Sequence, residues 1–183
     1  MSTASVLNQL IIYLFVGLLV WAAATDFRSF IIPNKISISI LVLYPAYVLT
    51  APAPLHWDTS LITGAVVFVV GLVMFNFGVM GGGDVKLATG CVIWAGPKLF
   101  LPFMLVMLVS SLVVALIFAM RTAMDSARAA AGQGGGAQTL SLGRTVGSAV
   151  IGLRHVPLLK MTIPYGVAIS AGGVYVGGRL LVG

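Results

Sequence analysis

The stretch Gly81-Gly82-Gly83-Asp84-Val85-Lys86-Leu87-Ala88-Thr89-Gly90-Cys91-Val92-Ile93-Trp94-Ala95 decides how this chain is folded. It follows a long apolar run, opens on three glycines and an aspartate, and is apolar from Val85 to Ala95 apart from Lys86 and Thr89. As a helix those last residues cover about 16 Å, too little to cross an undistorted bilayer. Charge decides whether they cross. If they do not, Arg121, Arg128, Arg144, Arg154 and Lys160 fall on the outer side. If they do, these five join Arg28, Lys35 and Lys86 on the inner side, against Lys98 and Arg179 at the outer end. The positive-inside bias selects the crossing.

Composition agrees. With 60% hydrophobic and 8% charged residues the chain cannot be a water-soluble globule, for which about 25% charged is usual. The net charge of +6 comes from residues scattered between apolar runs, so it reads as topology and excludes a nucleic-acid-binding stripe. The single cysteine, Cys91, lies in an apolar run, and His56 and His155 share no metal-ligand spacing. No metal and no cofactor are expected.

Outward from the glycines, the chain divides into six expected spans in one membrane domain over residues 1–183. Val6 to Thr25 carries no charge and spans about 30 Å as a helix, one hydrocarbon thickness. Asp26 to Lys35 is expected as a surface loop with a turn at Pro33-Asn34. Ile36 to Ala51 is shorter and holds Pro45, which predicts a kink. Ala51 to Asp58 has no Lys or Arg and is assigned to the outer side, with Trp57 at the interface and Asp58 capping the next helix. Leu61 to Met80 returns to the glycines. After the short fourth span come Leu99 to Met120, a basic cytoplasmic loop over 121–160, and a sixth span from Ile163 to Val182 opened by Pro164-Tyr165-Gly166. Arg28 and Lys35 are expected to meet lipid phosphate.

There is no glutamate, so carboxylate chemistry must draw on Asp26, Asp58, Asp84 and Asp125. Asp84 stands where a helix begins, which suits an ordinary N-cap as well as a functional acid. The glycines before it lack a Cβ and let another chain come close. In the six-span topology Asp26 ends the first span and Asp84 begins the fourth, which puts both at one membrane face. Two carboxyls sharing a site do not readily ionise together, so one keeps a proton while the other activates water. The C-terminal end of the first helix disfavours charge, so the resting proton is expected on Asp26.

At these residues the sequence resembles the type IV prepilin peptidases, the GxGD membrane aspartyl proteases, and in its short form their Flp/Tad pilus branch. The resemblance rests on Gly81-Gly82-Gly83-Asp84-Val85-Lys86-Leu87, on Asp26 followed by Ile32-Pro33-Asn34, and on Ile163-Pro164-Tyr165-Gly166, in matching order over nearly the whole chain. It implies an aspartic endopeptidase with Asp26 and Asp84 as the catalytic pair. Gly81, Gly82, Gly83, Lys86, Pro33, Asn34, Pro164, Tyr165 and Gly166 would shape the loops or bind substrate. The implied partner is a prepilin or pseudopilin with a short basic leader, cut at the cytoplasmic face of the bacterial inner membrane after a terminal glycine. Longer relatives carry paired Cys-x-x-Cys motifs and methylate the new N-terminus; this chain has neither the motifs nor, by expectation, that activity. Other classes compatible with acids in spans are a small ion-coupled transporter and a non-catalytic pilus or secretion assembly subunit.

Overall fold

The computed structural model describes residues 3–132 and 165–182. Among them every element is an α-helix: α1 (Thr3–Ser29), α2 (Asn34–Thr50), α3 (Trp57–Asn76), α4 (Gly82–Gly132) and α5 (Tyr165–Val182). Four are long and apolar enough to cross a bilayer, and α2 is a shorter apolar helix. This is the all-helical integral membrane architecture expected. The fourth and fifth expected spans both lie in α4, on either side of a break at Gly96, where φ 57 and ψ −177 interrupt the helical path just before Pro97. A side chain rarely adopts that φ, and the following proline has no N–H to continue the ladder.

The helix ends are set locally. α1 runs past its expected end, so Asp26 lies in its last turn and not in a loop. Phe30 donates its amide to the Asp26 carbonyl at 2.9 Å and takes φ 52, which stops the helix in the left-handed region. Only residues 30–33 then join α1 to α2, and Pro33 stands at the N-cap of α2. α3 ends earlier than expected: the amide of Gly78, at φ 70, bonds the Phe75 carbonyl, and that of Val79 bonds Met74. These two bonds form a Schellman motif, with glycine at the position that needs positive φ. Asp58 does not cap α3, whose N-cap is His56; it occupies the first turn.

The chain forms two compact units, residues 1–114 with 164–183, and residues 115–163. In the second, residues 115–132 are helical, so the first part of the expected loop over 121–160 is helix; residues 133–160 lie outside the described residues.

Within the first unit, lipid supplies no hydrophobic drive between helices, so close packing and small residues must hold them. α5 lies antiparallel on α1 along such a seam. A Cβ on Gly166 would meet Asp26, one on Gly173 would meet Leu19, and one on Gly177 would meet Val16 and Phe15. The glycines fall at helical spacing, with the buried Ser170 between them. α3 packs antiparallel on residues 82–95 in the same way, Ser60 against Gly96, Gly64 against Ile93 and Gly71 against Val85. The rest of α3 is largely exposed apolar surface, as lipid contact requires. Far from the acids, Trp94 stacks on Phe15 at 4.1 Å and on Tyr47 at 4.9 Å, and its Nε1 donates to the Ile40 carbonyl at 3.0 Å. Asn8, buried on α1, donates to the Tyr47 carbonyl and to Thr50 Oγ1. Interhelical bonds of this kind contribute about 0.6 kcal/mol each in membranes.

Candidate active site

Asp26 is 4% exposed, in the last turn of α1. An unsatisfied carboxylate in that position would be costly. Its partner is the start of α5, where Val167 N–H donates to Asp26 Oδ2 at 3.1 Å and the Gly166 backbone also contributes. The first amides of a helix have no partner within it, so the carboxylate and the α5 N-terminus satisfy each other. This contact depends on Gly166. A Cβ there would stand 2.8 Å from both Cγ and Oδ2 of Asp26, and 2.6 Å from Ile32 Cδ1.

Asp84 is in the first turn of α4, half-buried, and its backbone contact is with Gly81, one turn back. A Cβ on Gly81 would come within 2.8 Å of Asp84 Oδ2. The other carboxyl oxygen, Oδ1, is buried and has no hydrogen-bond partner among the described residues. The two acids are electrostatic neighbours, the charge of Asp26 acting on Asp84. Helices separated by more than fifty residues of sequence thus deliver two carboxyls to one end of the bundle.

The link between them is Ile32, buried in the short α1–α2 connection. Its Cδ1 lies under Gly166, and its Cβ and carbonyl oxygen lie 3.2 and 3.4 Å from where a Cβ on Gly83 would be. Ile32 therefore touches both the helix start that holds Asp26 and the glycine loop that leads to Asp84. On the exposed side Lys86 Nζ donates to Asn34 Oδ1 at 3.0 Å, tying α4 to the start of α2.

Most of the residues singled out in the sequence thus converge. Asp26, Asp84, Gly81, Gly83 and Gly166 meet at the acids or at Ile32, and Lys86 pairs with Asn34 beside them. Pro33 sets the start of α2, and Tyr165, half-buried, opens α5. Gly82 faces the Phe75 ring and not the acids. Pro164 lies outside the described residues. Sequence reading missed two contributors: the Val167 amide, which carries no side-chain signal, and the wedge role of Ile32. A signal that could have found the contact is the spacing of Gly166, Ser170, Gly173 and Gly177, which puts small residues on one face of α5, the face turned to α1.

No curated protein and no solved structure matches the chain. The model of the type IV leader peptidase family does match, over residues 13–120, more than half of the chain and with both acids and the glycine loop inside it. That family implies peptidase activity on prepilin leaders. The chain belongs to the type IV leader peptidase family.

Proposed function

We propose that the protein is an aspartic endopeptidase that removes the short basic leader from Flp-type prepilins or pseudopilins at the cytoplasmic face of the inner membrane, with Asp26 and Asp84 as its catalytic pair. The observation that carries this reading is the meeting of two acids from separate helices, one of them held by helix-start amides. The prepilin substrate comes from the family, and the Flp-type assignment from the sequence motifs.

The hydrogen bonds favour a division of roles opposite to the one expected from α1 alone. Asp26 ends α1 and is buried, and both disfavour charge, but it also accepts the Val167 N–H from the start of α5, which favours the ionised form. Asp84 has a buried oxygen with no donor among the described residues, a setting better suited to the protonated acid. In this scheme Asp26 takes a proton from water as the hydroxyl adds to the scissile carbonyl carbon, and Asp84 gives its proton to the carbonyl oxygen. A gem-diol forms, with Asp26 protonated and Asp84 ionised. As the C–N bond breaks, Asp26 protonates the departing amine and Asp84 recovers a proton from the gem-diol. Both acids return to their starting states.

Co-expression with a Flp-type prepilin, scored by size shift and N-terminal sequencing, tests the reading. Asp26→Asn and Asp84→Asn are each expected to lower processing by about 10²–10⁴-fold while the protein stays folded in the membrane. Normal processing by either variant rules the pair out.

A further inference from the structure

The end of the first unit away from the acids holds a cavity of about 800 Å³. Its origin lies in the short helix read first in the sequence. From Asp84 to Trp94 the chain rises only about 15 Å before Gly96 breaks the helix, whereas from Asp26 back to Asn8 α1 covers about 27 Å. The space above Trp94 is what the short segment leaves unfilled. Trp94, Tyr44 and Tyr47 line it with aromatic surface, and His56, Lys98 and Arg179 add polar groups.

The two cations are informative. The described part of this unit has five basic residues: Arg28, Lys35, Lys86, Lys98 and Arg179. The first three belong to the acid end, where Arg28 follows Asp26 in the last turn of α1, Lys35 follows Asn34, and Lys86 bonds Asn34. Lys98 and Arg179 run against the charge bias of the other loops, come from different helices, and line the same cavity. Among the described residues no carboxylate lines it; Asp58, in the first turn of α3 between the lining residues His56 and Thr59, is exposed. Both cations are exposed and free to turn their head groups toward an anion.

We propose that this cavity binds the phosphate-bearing head group of an anionic membrane phospholipid, with Lys98 and Arg179 on the phosphate and the aromatic floor against the glycerol and the first part of the acyl chains. The volume is in the range of sites for lipid-sized or drug-sized ligands and far exceeds a lone phosphate. A bilayer supplies amphiphiles with that pairing of anionic head and apolar body at the ends of the helices. The proposal does not depend on the catalytic pair, and its readout is lipid retention, not cleavage.

The test uses the full chain in non-ionic detergent, incubated with equimolar phosphatidylglycerol and phosphatidylcholine and read by native mass spectrometry. The wild type is expected to retain phosphatidylglycerol over phosphatidylcholine by about thirtyfold, since two cations near an anionic head group together contribute about 2 kcal/mol. Lys98→Ala with Arg179→Ala is expected to bring the ratio to near one, and Lys98→Arg with Arg179→Lys to preserve it. Arg121→Ala with Arg128→Ala removes the same charge outside the first unit and is expected to leave the ratio unchanged. Equal retention of the two lipids by the wild type overturns the proposal, as does an equal loss in both double alanine variants, the mark of diffuse charge attraction. Displacement of the lipid by millimolar inorganic phosphate assigns the site to free phosphate and overturns the lipid assignment.

Discussion

The two ends of the first unit are held together by different means. At the acid end backbone packs directly on the acids and their link: the Val167 amide of α5 on Asp26, the Ile32 carbonyl near Gly83, and Gly81 beside the Asp84 carboxyl. At the other end side chains make the contacts, through the stack of Phe15, Trp94 and Tyr47 and the bond from Trp94 to Ile40. A stack of rings can lose a few atoms and repack at an energetic cost. A carboxylate pressed onto a helix start cannot admit even a methyl group without moving. The difference predicts that small additions at the acid end act on chemistry, whereas truncations at the aromatic end act on stability.

Three substitutions sharpen or break this contrast. Gly166→Ala carries the largest expected effect. The added Cβ collides with both Asp26 and Ile32, and a displacement of about 1 Å at reacting groups lowers turnover by about 10²-fold. Processing of prepilin should fall by that amount while thermal denaturation in detergent changes little. Unimpaired cleavage would mean that the α5 contact does not position Asp26. Gly83→Ala comes next: its Cβ meets Ile32 at 3.2 Å, a distance relieved by a shift of a few tenths of an ångström, so a loss of about tenfold in processing is expected. If cleavage kinetics are unchanged, the approach of the glycine loop to Ile32 has no role in catalysis.

The smallest effect is expected from Phe15→Leu. It removes the ring stacked 4.1 Å from Trp94, at a cost of about 1 kcal/mol in stability. Denaturant titration in detergent checks the stability, and the folded fraction should cleave at the wild-type rate. A catalytic defect as large as that of Gly83→Ala would erase the distinction between the two ends.

Much of this was legible in the chain itself. Long apolar runs must become helices in a membrane because no other spanning arrangement satisfies their backbone groups without closing a barrel. Four aspartates and no glutamate left few acids to choose from, and positive charge in the loops placed Asp26 and Asp84 at one end. The short run from Val85 to Ala95 was equally plain, since helical rise fixes its length. Helix ends were less legible. Four more residues of α1 and the early stop of α3 at Gly78 rest on local capping that hydropathy does not register.

By itself, then, the sequence determined the class of fold and which acids and glycines are candidates for the site, because each follows from the solvation of individual residues or from rise per residue. Tertiary structure alone decided that the amides of α5 meet Asp26, that Ile32 joins its site to the glycine loop, and that the short helix leaves a cavity beneath Lys98 and Arg179. Those are contacts between distant segments, and several are made by backbone groups that every residue carries, so no pattern of side chains announces them.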